Sequence, residues 1–262
     1  MKVNVYDLNG KPVEKIELPR VFDEQLRHDL IMRAVISLQS GRRQPYGPDP
    51  LAGLRSAAHY HGRRRRRHSM MMRDIARLPR LHAASPMMHF RVRKVPSAVK
   101  GRRAHPPKVE KIWYQKINKK EMKLAINSAI AATSKKDIVK KRGHRVDNLE
   151  ELPLIVKDKI QSVKKTKDLE NVLKTLGLEK ELKRVKIKKI RSGKGKMRGR
   201  KYKKKIGPLI IVDKDDGIGR AGKNLTGVDV KNVKEITVED LAPGSHPGRL
   251  TIWSESSLKG LI

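Results

Sequence analysis

Charge in this chain is concentrated rather than spread. The 262 residues carry a formal net charge of +36, and two segments hold nearly all of it. Residues 41–109 contain 18 Lys and Arg against two acids, Asp49 and Asp74, for +16. Residues 183–205 contain 14 basic residues and no acid, for +14. The other 170 residues hold 31 basic and 25 acidic groups, the balance of an ordinary globular surface. One evenly charged core cannot be built from such a chain. It predicts a normal domain carrying two basic appendages, whose self-repulsion calls for a polyanion, nucleic acid foremost.

The length fits one large domain or two small ones. Hydrophobic residues make up 37%, enough for a modest core, while nine aromatic residues exclude a large aromatic-rich one. The absence of cysteine excludes a disulfide scaffold, a thiolate zinc site and a cysteine nucleophile, and suits a reducing, intracellular compartment. The opening residues Met1-Lys-Val-Asn-Val-Tyr-Asp7 lack the apolar core of a secretory signal. Apolar runs such as Leu209–Val212 fall far short of the roughly 20 residues that a membrane helix needs. A soluble intracellular protein, without a membrane partner, is expected.

Outside the basic segments the periodicity is clear. Residues 2–6 and 13–18 alternate around the turn signal Asn9-Gly10, predicting a short hairpin. A helix is predicted from Asp23, because Leu26, Leu30, Ala34 and Leu38 recur at four-residue steps beside Ile31 and Val35, and Gly41 ends it. A second helix is predicted from Asn118, where Asn118-x-x-Glu121 reads as a capping box and Met122, Ile126, Ala129, Ile130 and Thr133 share a face. Apolar runs at 152–156, 209–212, 228–233 and 250–253 alternate with a helical stripe of Leu169, Val172, Leu173 and Leu176 that Gly177 closes. This pattern predicts an α/β fold with a mostly parallel sheet flanked by helices.

Residues 41–112 keep neither period, apart from a short helix predicted at 70–78 from Met71, Met72, Ile75 and Leu78. Irregular segments longer than roughly 12–15 residues inside a domain are usually functional or disordered. The organisation expected is a globular domain of 1–40 and 113–262, an extended basic loop of 41–112, and a basic segment at 183–205 within the globular part. In the loop, His59-Tyr60-His61-Gly62 precedes five arginines, 63–67, and His68 follows. Guanidinium forks match phosphate oxygens and stack on bases. Tyr46, Tyr60 and Phe90 are the rings available for stacking, too few for a base-reading platform, so recognition is expected through phosphates, 2′-hydroxyls and shape. In Arg191-Ser-Gly-Lys-Gly-Lys-Met-Arg-Gly-Arg200 glycines let backbone approach phosphates that the cations neutralise. The Lys183 to Ile190 run before it reads as an edge strand or a helix end.

Two motifs invite other chemistry. Gly217-Ile-Gly219-Arg-Ala-Gly222 matches a dinucleotide fingerprint after a predicted strand, with Glu239 or Asp240 near the ribose position. Against it, Asp213, Asp215 and Asp216 crowd the turn where a pyrophosphate would sit, and the next strand begins too soon for a full crossover helix. His59-x-His61 has the spacing of two metal ligands on a strand, but no cysteine exists, the nearest upstream carboxylate is Asp49, and the arginines repel a cation. An RNA-contacting histidine pair, with Tyr60 between, is expected there instead of a metal. No nucleophilic triad or carboxylate pair stands out, so no enzyme and no cofactor are expected. A general nucleic-acid compacting protein is the alternative that composition leaves open.

Several stretches together resemble a known family. They are Arg43-Gln-Pro-Tyr46, Leu51-Ala-Gly53, Ala76-Arg-Leu-Pro-Arg80, Glu151-Leu-Pro-Leu-Ile-Val156 and Lys164-Lys-Thr-Lys167, then residues 191–200 and 207–219, Leu241-Ala-Pro-Gly-Ser-His-Pro-Gly-Arg249, and Ile252-Trp-Ser-Glu-Ser256. In this order they span nearly the whole chain, which resembles the L four family of large-subunit ribosomal proteins in its archaeal and eukaryotic form, more closely the archaeal. The resemblance implies a Rossmann-like α/β domain without a nucleotide site, on the outer surface of the large subunit. It also implies an internal loop, here 41–112 with its tip near 59–73, that threads through the rRNA to the wall of the nascent-peptide exit tunnel. Glycine-rich stretches near the tip in eukaryotic and bacterial members are replaced here by arginines 63–67 and Met70, Met71 and Met72.

On this reading the loop contacts rRNA through Arg42, Arg43, Arg55, His59, Tyr60, His61, Arg63, Arg64, Arg65, Arg66, Arg67, Arg73, Arg77, Arg80, Arg102 and Arg103. The second cluster is Lys194, Lys196, Arg198 and Arg200. The implied partners are large-subunit rRNA, neighbouring large-subunit proteins and the nascent peptide near the loop tip, in the cytoplasmic ribosome, with no homo-oligomer.

Overall fold

The computed structural model describes residues 2–83 and 85–261. The chain divides into two units, one of Met1–Gly41 with Gln115–Ile262 and one of Arg42–Tyr114. In the first, β1 (Lys2–Tyr6) and β2 (Pro12–Glu17) lead through a 3-10 turn to α1 (His28–Gly41), α2 (Lys119–Ser134) and α3 (Lys136–Arg142). Then come β3 (Leu154–Val156), α4 (Thr166–Leu173), α5 (Glu179–Lys186), β4 (Lys189–Ile190), β5 (Tyr202–Lys203) and β6 (Leu209–Val212). The last elements are α6 (Ile218–Lys223), β7 (Asp229–Asn232), α7 (Val238–Leu241), β8 (Thr251–Ser254) and α8 (Glu255–Lys259).

Six strands form one sheet in the order β2-β1-β3-β8-β6-β7. The β1–β2 pair is antiparallel, as the Asn9-Gly10 hairpin predicts, and the other four pairings are parallel. Successive side chains of a strand point to opposite faces, so a run buried on both faces reads as continuously apolar. Leu154, Val156, Ile210, Val212 and Ile252 enter one core with Leu169, Leu173, Leu182 and Ile218. Ile155, Leu209, Ile211 and Trp253 enter the other with Ile31, Val35, Ala129 and Ile130. The result is three layers, with α4, α5 and α6 over one face and α1, α2 and α7 over the other. Trp253 anchors the second core and meets Phe22 edge-on at 5.6 Å.

The second helix starts as predicted, with the Asn118 amide donating to the Glu121 carboxylate at 3.4 Å. Gly177, at φ 82, breaks the helical path between α4 and α5. Two expectations need correction. The first helix begins at His28 rather than Asp23, because Ser128 of α2 captures the preceding backbone: its hydroxyl donates to the Gln25 carbonyl at 3.0 Å and accepts from the Arg27 amide at 2.7 Å. Leu26 therefore packs against the core from outside the helix. No helix forms at 70–78. Met72 sits at φ 62, a left-handed conformation that ends helical propagation, and the Met70 amide is taken by the His61 carbonyl.

Where the first unit gives up its chain after α1 and resumes before α2, two serines close the gap. The Ser37 hydroxyl donates to the Gln115 carbonyl at 2.6 Å, and the Gln115 amide donates to Ser40 Oγ at 2.9 Å.

Candidate nucleic-acid interface

The Arg42–Tyr114 unit is built from turns and single bridges. His59 pairs with Arg80, and Arg80 with Val92, so three chain segments meet at Arg80. Gly53, at φ 79, lies where two segments cross: a Cβ there would stand 2.6 Å from the Gly101 carbonyl oxygen and the Arg102 amide. That crossing explains a glycine after Leu51-Ala and sets the exposed Arg102 and Arg103 beside it.

Arginines 63–67 all stand exposed on a pair of turns, with Arg65 at φ 55 and His68 at φ 60. The bend keeps the guanidinium groups in one short stretch of backbone, where no core would accept them. Arg42, Arg73 and Arg77 are exposed too. Arg73 lies 4.8 Å over the Phe90 ring, and Arg55 is ion-paired to Asp49 at 2.5 Å. Arg80 is used differently from its neighbours. Its guanidinium donates to the Phe90 carbonyl at 2.9 Å and the Ala76 carbonyl at 3.0 Å, so it braces the loop. Arg93, buried, donates to the Val99 carbonyl in the same manner.

Sequence reasoning missed Trp113. Tyr46 stacks on it at 5.6 Å with the planes 17° apart, and Arg43 lies 4.0 Å and Lys111 4.5 Å from its ring centre. A lone tryptophan flanked by Lys111 and Tyr114 was the available signal. Stacked rings holding cations present both a flat apolar face and positive charge.

His59, Tyr60 and His61 have different neighbours. Tyr60 directs its hydroxyl to Met71 Sδ at 3.6 Å, while His59 and His61 face each other and His82, with ring centres 4.2–4.6 Å apart. Burial, then the charge of Arg67, holds His68 below its ordinary pKa; burial and neighbouring His61 do the same to His82.

In the other unit, the 183–205 segment is a helix end followed by a hairpin. β4 and β5 pair antiparallel, and the loop between them is closed by Arg191, whose amide donates to the Lys201 carbonyl at 2.8 Å and whose Nε donates to the Arg200 carbonyl at 3.1 Å. Gly193 and Gly199 adopt φ 75 and 76. Lys194, Lys196, Arg198 and Arg200 are exposed along this loop. Tyr202 carries Lys201 at 5.6 Å and Lys188 at 6.0 Å. Lys203, Lys204 and Lys205 continue into a cleft also lined by Lys141 and Arg142, and burial lowers the pKa of Arg142 to about 10.

The dinucleotide-like glycines serve the protein itself. Asp215 Oδ1 accepts from the Gly217 amide at 3.0 Å and the Gly219 amide at 2.9 Å, filling with its own carboxylate the position a phosphate would take. Helix α6 is six residues long and Gly222 packs against Val230.

Residues 16–262 match the model of the "Ribosomal protein L4/L1 family". The chain belongs to that family. It is 48% identical over 262 residues to the large ribosomal subunit protein uL4 of Archaeoglobus fulgidus, covering 100% of this chain and 98% of the relative. It is 47% identical over 261 residues to the uL4 protein of Methanosphaera stadtmanae, covering 99% and 96%. The uL4 protein of Nanoarchaeum equitans is 46% identical over 264 residues, covering 100% and 97%. This is a family of ribosomal proteins, not of enzymes, and its archaeal members are similar to this chain from end to end. No helix among the described residues is long and apolar enough to cross a membrane.

Proposed function

We propose that the chain is a structural component of the large ribosomal subunit that binds large-subunit rRNA through two separate basic elements. The full-length similarity to archaeal uL4 proteins supports its place in the large subunit of the cytoplasmic ribosome. The observation that carries the RNA reading is the exposed arginine turn at 63–67, matched in the other unit by the exposed Lys194, Lys196, Arg198 and Arg200 on the β4–β5 loop. Both have the donor geometry that phosphates take.

Arg42, Arg43, Arg55, Arg73, Arg77, Arg102 and Arg103 extend the first contact surface. Tyr46 and Trp113 offer a stacking face to an unpaired base. The 42–114 unit, with its tip near 59–73, reaches the nascent-peptide exit tunnel and shapes its wall, and neighbouring large-subunit proteins complete its surroundings.

Sedimentation of cell extract through a gradient after a high-salt wash tests the reading. The chain is expected to stay with the large subunit. Release by salt, or migration with DNA or as free protein, would instead mark a peripheral or general nucleic-acid binder.

A further inference from the structure

His59, His61 and His82 each offer a ring nitrogen, and these three atoms lie within 4.8 Å of one another. Ring centres are separated by 4.2 Å for His59 and His61, 4.6 Å for His59 and His82, and 4.5 Å for His61 and His82. We propose that these three histidines form a binding site for a divalent transition metal ion of the zinc class, with a fourth position left open.

Three features of the cluster point to a ligand. Both ring nitrogens of His82 are buried, yet neither has a hydrogen-bond partner among the described residues. A neutral imidazole carries one donor and one lone pair, so leaving both unmatched is costly, and a metal ion uses the lone pair. His59 is already oriented: its Nδ1 lies 3.0 Å from the Ala57 carbonyl, which fixes the proton there and leaves Nε2 with its lone pair directed elsewhere. Metal-ligating histidines characteristically have this second hydrogen bond. The backbone holds the set in place too, through the His59–Arg80 bridge and the Met70 amide bond to the His61 carbonyl.

The geometry needs little adjustment. Zinc–nitrogen bonds of roughly 2.0–2.1 Å in a tetrahedron separate ligand nitrogens by about 3.3 Å, so side-chain rotations close the site. An all-imidazole set suits zinc, copper or nickel rather than magnesium or calcium, which take oxygen ligands. The site holds no carboxylate, so a bound ion keeps its full charge. Its open position therefore suits an anionic oxygen, and the nearby arginines draw phosphates to the same region. The sequence spacing His59-x-His61 shows two of the ligands. The third comes from a segment that only the bridges at Arg80 bring alongside.

Titration of the purified full-length chain with Co2+ tests the site through the visible ligand-field bands of four-coordinate cobalt. One equivalent is expected to produce the bands and Zn2+ to displace it. His82→Gln and, separately, His59→Gln should abolish the bands, whereas His246→Gln, in the other unit, should leave them intact. Circular dichroism verifies that each variant keeps its α/β core. Absence of bands in the unaltered chain, or bands that survive both His82→Gln and His59→Gln, would overturn the proposal.

Discussion

The Nδ1 atom of His144 lies 2.6 Å from Oε1 of Glu181, and both side chains are sealed from solvent. Arg184 donates to both oxygens of the same carboxylate, at 2.6 and 2.8 Å, and the Arg145 amide adds a bond of 3.0 Å. Burial on its own raises the Glu181 pKa, but hydrogen bonds from Arg184, His144 and the Arg145 amide outweigh it and hold the group down to about 2. Burial pushes His144 down as well, so it donates to the carboxylate as a neutral ring.

Both groups have lower pKa values folded than unfolded. Each therefore contributes stability that is complete above its unfolded pKa and is lost as the pH falls through the folded one. Urea unfolding of the chain, followed by circular dichroism, should show loss of stability beginning below pH 6.5 from His144, and a further loss between 4.5 and about 2 from Glu181. Glu181→Gln should cost about 3 kcal/mol at neutral pH and remove the second loss.

Arg249, nearly inaccessible, is a structural cation in a protein whose other arginines are mostly on the outside. Its Nε donates to the Gly207 carbonyl at 2.9 Å, one Nη to the Asp240 carbonyl at 3.0 Å, and the other pairs with Asp229. Lysine cannot reach three acceptors in one plane. Arg249→Lys should lower stability by about 3 kcal/mol in equilibrium unfolding, with no change in charge.

Removing residues 45–105 should leave a folded α/β core, because the Ser37 and Ser40 bonds to Gln115 close its own gap. Far-ultraviolet circular dichroism and a cooperative melt check this. The same deletion should abolish incorporation into large subunits.

Replacing arginines 63–67 by alanine should flatten the salt dependence of binding to purified large-subunit rRNA. Each lost phosphate contact reduces the slope by roughly 0.7–0.9 log units per log unit of salt. Filter binding across a salt series measures it, and an unchanged slope would mean that this turn does not touch phosphates.

Much of the α/β domain was legible because burial on both faces leaves a plain mark. Leu209–Val212 reads as a strand since its side chains alternate between two cores, each of them apolar. The start of α1 was not legible, as it depends on Ser128 capturing the Gln25 and Arg27 backbone from a distant helix. Within the 42–114 unit, composition identified exposed cations but could not separate Arg73, which is exposed, from Arg80, which is spent on two carbonyls. Nor could it bring Trp113 to Tyr46, or His82 to His59, because those pairings arise from turns and single bridges without a repeating period.

The place of β8 in the sheet makes the joining of its two halves depend on one strand. Thr251–Ser254 lies between β3 and β6 and is hydrogen-bonded to both, although every other strand precedes it in the chain. Without β8, the β2-β1-β3 group and the β6–β7 pair share no strand pairing, and each has an open inner edge. Open edges are templates for wrong pairing. The strand that joins the two halves of the sheet is the last in chain order, so the sheet closes only through its final strand.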